Sequence, residues 1–397
     1  MSLQNPVFIP GPTNIPEAVR KACDMPTIDH RSPMFGDILH PALDGVRQVL
    51  KSDSAEVFIF PASGTGGWEA AITNTLSPGD RVLMACNGMF SQRWIAMCQR
   101  HGLRVDVIET TWGAGIPADR INAALSADKA HEIRAVLATH NETATGVLSD
   151  IAAVRAAMDA ASHPAMLFVD GVSSIASVDF RFDEWGVDVA VAGSQKGFML
   201  PAGLAITGFS TRAIAATKTA QLPRTFFDVL DMEKSYESGA YPYTPSVGLL
   251  NGLKLTTGML LAEGLDNVFA RHHRIAEGVR RAARAWQLEL CALSPDLYSD
   301  TVTAIRTPDG FNATDIVTHA ADTYGVAFGV GLGQVAGQLF RIGHLGMLTD
   351  VMTLSGIATA EMAMADLGLD ITLGSGVAAA QAWYRAHPAQ AQQVAAQ

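Results

Sequence analysis

From about residue 55 the chain repeats one pattern: a short apolar run rich in β-branched residues, a loop holding Gly, Ser or Asn, then an Ala-rich stretch with apolar positions at helical spacing. The runs are Val57–Phe60, Val82–Cys86, Val105–Ile108, Ala135–Thr139, Met166–Val169, Val187–Ala192 and Leu204–Thr207, and Ile151–Ala161 is one of the intervening helices. Such strands alternating with helices predict βαβ units around a parallel or mixed sheet buried on both faces, hence a three-layer α/β/α domain. In these sheets ligands gather beyond the carboxyl ends of the strands, so the polar residues that follow each run are the ones to weigh.

After about residue 245 the pattern changes. Leu249–Trp286, rich in Leu, Ala and Arg, predicts a long, nearly unbroken helix bridging into a second domain. A smaller α+β unit follows, with strands at Val302–Arg306 and Gln338–Ile342 and helices around Ala313–Tyr324 and Leu354–Leu367. The four prolines of Pro6–Pro16 exclude regular helix there and predict an extended arm, while the Ala/Gln-rich tail from Pro388 onward is expected to fray. The expected divisions are an arm over residues 1–20, a large domain over 21–265 and a small domain over 266–397. No internal repeat is present.

Composition narrows the class. Of 397 residues 48% are apolar and 17% charged, which fits a large buried interior, and the net charge of −11 opposes nonspecific binding to nucleic acid or anionic lipid. An anionic ligand must then be met by individually placed cations. Cys23, Cys86, Cys98 and Cys291 form no CxxC pair and no ligand-spaced set with the histidines, so neither a zinc site nor a disulfide framework is expected, and no metal. The first basic residue is Arg20, and the longest uncharged stretch, Thr323–Phe340, holds five glycines and two glutamines, which argues against a secretory signal and a membrane span. The chain does not end in SKL. A soluble, cytoplasmic protein is expected.

Three segments carry candidate chemistry. Ser63-Gly64-Thr65-Gly66-Gly67 follows the first strand and feeds a helix, offering free backbone N–H groups and the positive end of a helix dipole to a phosphate; it also reads as an ordinary strand-to-helix turn. The dinucleotide fingerprint needs an acidic residue ending the second strand, but Asp80 precedes that strand. Asp170 ends the apolar run Met166–Val169, where it either caps a turn or meets a protonated ring nitrogen. Lys196 lies among small residues in Gly193-Ser194-Gln195-Lys196-Gly197 at the end of another apolar run. The other lysines, at positions 21, 51, 129, 218, 234 and 254, occupy polar or helical contexts. A partly buried lysine has a lowered pKa and can act as a nucleophilic amine, or it can form an ion pair with Asp170. Together, a phosphate loop, a strand-end carboxylate and a strand-end amine are the three anchors that pyridoxal 5′-phosphate demands.

At this point the sequence resembles the class V, fold-type I pyridoxal-phosphate aminotransferases, in the branch that acts on glyoxylate with serine, aspartate or alanine. The matching stretches are Pro10-Gly11-Pro12-Thr13-Asn14, His30-Arg31-Ser32-Pro33, the Ser63–Gly67 loop with Trp68-Glu69, and Asn74-Thr75-Leu76-Ser77-Pro78-Gly79-Asp80. His140-Asn141-Glu142-Thr143-Ala144-Thr145-Gly146-Val147, Val169-Asp170-Gly171-Val172-Ser173-Ser174, Gly193-Ser194-Gln195-Lys196, Tyr241-Pro242-Tyr243-Thr244-Pro245 and Arg341-Ile342-Gly343-His344-Leu345-Gly346 follow in order. The resemblance implies that Lys196 holds the cofactor covalently and carries the proton between substrate Cα and cofactor C4′, and that Asp170 keeps the ring nitrogen protonated. It implies that Ser63, Gly64 and Thr65, with Gln195 beside them, hold the phosphate, that Phe90 covers the ring face and that Thr143 meets the ring hydroxyl. By the same likeness Tyr241 and Thr244 reach the phosphate of a neighbouring subunit, so a homodimer with shared sites follows. Arg341 would grip the substrate α-carboxylate with its planar fork.

The implied reaction is ping-pong transfer of an amino group from a small L-amino acid, serine or aspartate, to glyoxylate, giving glycine and the matching 2-oxo acid. Arg31 and Arg224 are the candidates to meet an aspartate side chain. Alanine is an alternative donor. A cysteine desulfurase would need a mobile-loop cysteine in the small domain, where Cys291 sits in the apolar run Leu288–Leu293. A non-catalytic phosphate- or nucleotide-binding module would explain the glycine loop but not Lys196, Asp170 and Arg341.

Overall fold

The apolar runs become one seven-stranded sheet in the computed structural model, which describes residues 5–389. Its strands are β1 (Glu56–Phe60), β2 (Arg81–Cys86), β3 (Arg104–Glu109), β4 (Ile133–Thr139), β7 (Met166–Asp170), β8 (Val189–Gly193) and β9 (Ala205–Phe209), while β5 (Asn141–Glu142) and β6 (Val147–Leu148) form a separate small hairpin. The order is β1-β9-β8-β7-β4-β2-β3. From β8 to β3 all neighbours run parallel, and β9 runs antiparallel to both β1 and β8. The sheet is therefore mixed. β7, β8 and β9 are buried at every position, as continuous apolar runs covered on both faces require.

Helices α1 (Glu17–Cys23), α2 (Pro33–Val49), α3 (Gly64–Thr75), α4 (Met89–Arg100), α5 (Ala118–Ala127), α6 (Ile151–Ala160), α7 (Thr211–Thr217), α8 (Val229–Tyr236) and α9 (Val247–Glu263) belong to this layered part. Then come α10 (Leu265–Ala285), α11 (Ala313–Tyr324), α12 (Asp350–Asp366) and α13 (Ser375–Ala386), around an antiparallel sheet ordered β10-β12-β11 from β10 (Val302–Arg306), β11 (Gly329–Val330) and β12 (Leu339–Gly343). Two large apolar cores result. One gathers Phe58, Trp94, Phe168 and Phe198 around the seven-stranded sheet, and the other gathers Ile275, Trp286, Phe340 and Tyr384.

The expected single long helix is divided. Gly264 takes φ +84°, a conformation that glycine adopts without strain, closes α9 through N–H bonds to Leu260 and Leu261, and starts α10. Leu250, Leu253 and Leu260 of α9 pack in the first core, whereas α10 enters the second core from Ile275, so the crossing between cores falls within α10. Short β11, for which the sequence pattern offered no strand, lies inside the glycine-rich stretch Thr323–Phe340, and α12 begins at Asp350, earlier than the apolar pattern implied, because Thr349 accepts the Met352 N–H as its cap. The arm is extended: Phe8 bridges to Phe328 and is fully buried. Most of the tail expected to fray lies outside the described residues.

Candidate active site

Because β9 returns antiparallel beside β8, residues 194–204 must reverse the chain at the carboxyl edge of the sheet, and Lys196 sits in that reversal. The turn is tied internally. Ser194 Oγ donates to the Pro201 carbonyl at 2.8 Å and accepts from Leu204 N–H at 3.1 Å, and Met199 N–H donates to the Lys196 carbonyl at 2.9 Å. The N-terminal arm closes over it: Lys196 Nζ donates to the Pro10 carbonyl, and Thr13 N–H donates to the Gln195 carbonyl at 3.2 Å. A Cβ on Gly11 would fall 2.6 Å from Lys196 Nζ, and Gly11 holds φ +106°, so both space and backbone demand glycine. Enclosure pushes the Lys196 ammonium down to about 8, the nearby Arg341 charge adds to this, and Asp170 opposes it.

Asp170 closes β7 between β4 and β8, with only 4% of its surface exposed. Burial raises its carboxyl to about 7; the Val172 N–H, donating at 3.0 Å, opposes the rise, and the Glu142 charge reinforces it. The Trp68 indole N–H lies near enough to favour the carboxylate, yet it makes no hydrogen bond of proper geometry. No ion pair within 4.0 Å joins Asp170 and Lys196 among the described residues. The purely structural pairing is thus not formed, and an amine and a carboxyl whose proton affinities burial has moved stand at the carboxyl ends of the neighbouring strands β7 and β8.

Ser63 stands at the N-cap position of α3 without a side-chain cap bond, and it and Thr65 are exposed beside the helix's first N–H groups. Among the described residues the Gly64 and Thr65 N–H groups have no acceptor. The glycines let this helix approach the sheet: a Cβ on Gly64 would lie 2.5 Å from Val172 Cγ2, and one on Gly67 2.5 Å from Val191 Cγ1. Gly67→Ala is expected to cost about 1–3 kcal/mol in thermal or urea unfolding by overpacking; an unchanged unfolding midpoint would contradict this packing.

Phe90 stands in the first turn of α4, with the Arg93 guanidinium 5.5 Å from its ring centroid. Glu142, fully buried in β5, accepts Phe90 N–H at 3.0 Å, Ser91 N–H at 3.1 Å and Ala144 N–H at 3.1 Å. The sequence placed Glu142 in a matching motif but gave it no task; a lone acid among polar turn residues carries no signal of burial. Thr143 Oγ1 shares a 2.7 Å hydrogen bond with Ser173 Oγ. Arg341, 6% exposed in β12, donates from Nε to the Val330 carbonyl and from Nη1 to the Thr143 carbonyl, each at 2.9 Å. Among the described residues no carboxylate lies within 4.0 Å of it, and burial lowers its pKa to about 10. A guanidinium this enclosed is costly unless an anion joins it.

Other singled-out residues lie elsewhere. Tyr241 is buried against Phe35 and Tyr236, and Thr244 is exposed; among the described residues no hydrogen bond, ion pair or ring contact links either to Lys196, Asp170 or Ser63. Arg31 is exposed and makes no ion pair among the described residues. Arg224 is committed to structure, pairing with Asp228 at 3.1 Å and donating to the carbonyls of Thr73, Ala220 and Thr217. Cys291 is fully buried with a raised pKa, beside Arg306. Among the described residues no three His, Cys, Asp or Glu groups are placed to hold a metal, and no helix is long and apolar enough to cross a membrane.

Residues 12–343 match the family Aminotransferase class-V. Over 396 residues, covering 100% of each chain, the sequence is 71% identical to an L-aspartate–glyoxylate aminotransferase of Paracoccus denitrificans. It is 52% identical over 386 residues to a serine–glyoxylate aminotransferase of Hyphomicrobium methylovorum, covering 97% of this chain and 95% of that one. The crystal structure of pyridoxamine–pyruvate aminotransferase from Mesorhizobium loti superposes with a TM-score of 0.89 at 29% identity, covering 96% of this chain and 98% of that one. With the fold and the sequence agreeing over nearly its whole length, this chain belongs to the class-V aminotransferases.

Proposed function

We propose that the protein is a pyridoxal 5′-phosphate-dependent aminotransferase that passes the amino group of L-aspartate to glyoxylate, yielding oxaloacetate and glycine in a ping-pong cycle. The observation that carries this reading is the buried Arg341 guanidinium, which has no carboxylate within 4.0 Å among the described residues, feels the charge of Glu142 from further off, and packs across Gly329 from the Pro10 residue whose carbonyl takes the Lys196 ammonium. Such a cation suits the α-carboxylate that every amino and 2-oxo acid presents. The relative that shares 71% of the sequence supports aspartate and glyoxylate over other pairs.

The donor set fits the cofactor. Ser63, Thr65 and the N–H groups at the start of α3, unpaired among the described residues, would hold its phosphate, and the buried Oε1 of Gln195, without a partner among the described residues, lies beside Lys196 in the chain. Asp170 would hold its ring nitrogen, Phe90 its face, Thr143 its hydroxyl side and Lys196 its aldehyde carbon. When bound it would supply an electrophilic carbonyl carbon and a ring that accepts electrons. The chain's own work is positional. Arg341 fixes the carboxylate, the Pro10–Thr13 arm shields the lysine from water, and Lys196 Nζ, largely neutral above about pH 8, takes the Cα proton and returns it.

Arg224 being occupied, Arg31 is the proposed partner of the aspartate side chain. Arg31→Ala is expected to lower kcat/KM for aspartate about tenfold, roughly the 1.4 kcal/mol of one modest ion pair, while leaving serine unchanged. Stopped-flow half-reactions with each donor read this directly, and equal losses for both would remove Arg31 from the role. The exposed Thr244 leaves room for a homodimer in which it completes the partner's phosphate site, with sedimentation reading the dimer itself; Tyr241, packed in its own protomer's core, lends that reading no support. The two cores support a division within α10, between Val268 and Ile275 and so a little beyond the expected boundary at 265, and four free cysteines support a reducing, cytoplasmic setting.

A further inference from the structure

We propose that Glu142 is a positioning residue: its buried carboxylate clamps the Phe90 end of α4 onto the turn carrying Thr143, and through the Thr143 carbonyl it fixes the direction of Arg341. This rests on the functional reading above and deepens it.

Glu142 has no exposed surface, and among the described residues no Lys, Arg or His lies within 4.0 Å of its carboxylate. Enclosing an acid in this way is unfavourable unless its oxygens find donors. They find backbone amides from two segments. Oε2 takes the N–H groups of Phe90 and Ser91 at the start of α4, where the helix dipole favours an anion, and Oε1 takes that of Ala144 beyond the β5 strand. The residue between, Thr143, offers its carbonyl to Arg341 Nη1. One side chain thus joins the ring-covering aromatic to the carboxylate-gripping cation, which lies nearly two hundred residues further along the chain.

Gly88 supplies an independent sign of the same clamp. Its backbone is extended, φ 173°, so any residue could stand there conformationally. Yet a Cβ would fall 2.2 Å from Glu142 Cγ and 2.3 Å from its Cδ. Position 88 is small because the Glu142 side chain fills the space.

The test compares Glu142→Gln with the unaltered protein, both as holoenzyme and free of cofactor. An amide presents N–H groups toward N–H groups, so at least one clamp bond fails. The expected result is a rise of about tenfold or more in KM for aspartate and glyoxylate alike, because both carboxylates use Arg341, with kcat changed less. In the cofactor-free protein, amide exchange at Phe90, Ser91 and Ala144 should quicken. A general loss of folded protein would lower kcat per mole and leave both KM values alone, and that pattern, or unchanged exchange, overturns the proposal. Gly88→Ala guards against a variant that does not fold. It should raise the same exchange rates and KM values, but should add nothing in a Glu142→Ala background; additive effects also overturn the clamp. Absence of amino transfer in the unaltered holoenzyme would instead sink the functional reading, while the cofactor-free exchange still judges Glu142.

Discussion

Lys196→Ala is expected to abolish covalent retention of the cofactor and to lower amino transfer by roughly 10⁴-fold, since in the proposed reaction one amine serves as both attachment point and proton carrier. Borohydride reduction of the unaltered holoenzyme followed by peptide mass analysis should place the label on Lys196. The alanine variant should bind the cofactor reversibly and leave no label. Retained turnover, or a label on another lysine, would reassign the centre. Its proton affinity gives a second handle. With the folded-state value depressed to about 8 from an ordinary 10.5, cofactor capture by the free protein should accelerate as pH rises through 8. Stability carries the same sign: between those values the unfolded chain binds the proton and the folded chain does not, so this residue's contribution to stability increases as pH climbs across that window. In Lys196→Ala both dependences should vanish.

Arg341→Ala should raise KM for aspartate and glyoxylate about 100-fold, near 3 kcal/mol, with a smaller loss in kcat. A charge-assisted bidentate bond in a dry cleft is worth that much, and it is made to substrate and transition state alike. Arg341→Lys should recover little, because an ammonium lacks the fork whose direction the Val330 and Thr143 carbonyls preset. Steady-state kinetics with both substrates decides this. KM values that stay put in the alanine variant would move carboxylate recognition to another cation, with Arg31 next in line.

Lys196 and Asp170 were legible along the chain because each is a charged group abutting a run of apolar strand residues, a placement that solvated lysines and aspartates avoid. The α/β/α layering was legible for a related reason: strands covered on both faces must be apolar throughout. Strand edges shifted where pairing, not hydropathy, sets the limit. Val187 belongs to a turn, its N–H bonded to Phe182, so β8 starts at Val189 opposite Phe168. The break at Gly264 was hidden because glycine within an apolar helical pattern is tolerated as often as it ends one.

Composition and local pattern, then, determined which segments become strands and helices and which amine and carboxyl stand at strand ends, because burial and periodicity act over a few residues. Tertiary structure decided the rest: that Pro10 closes on Lys196, that Arg224 is spent on Asp228 while Arg341 forms no ion pair among the described residues, and that Glu142 meets the start of α4. Those relations join residues far apart in sequence, or depend on which of several possible partners reaches a side chain first, and only the packed chain brings the atoms within hydrogen-bonding range.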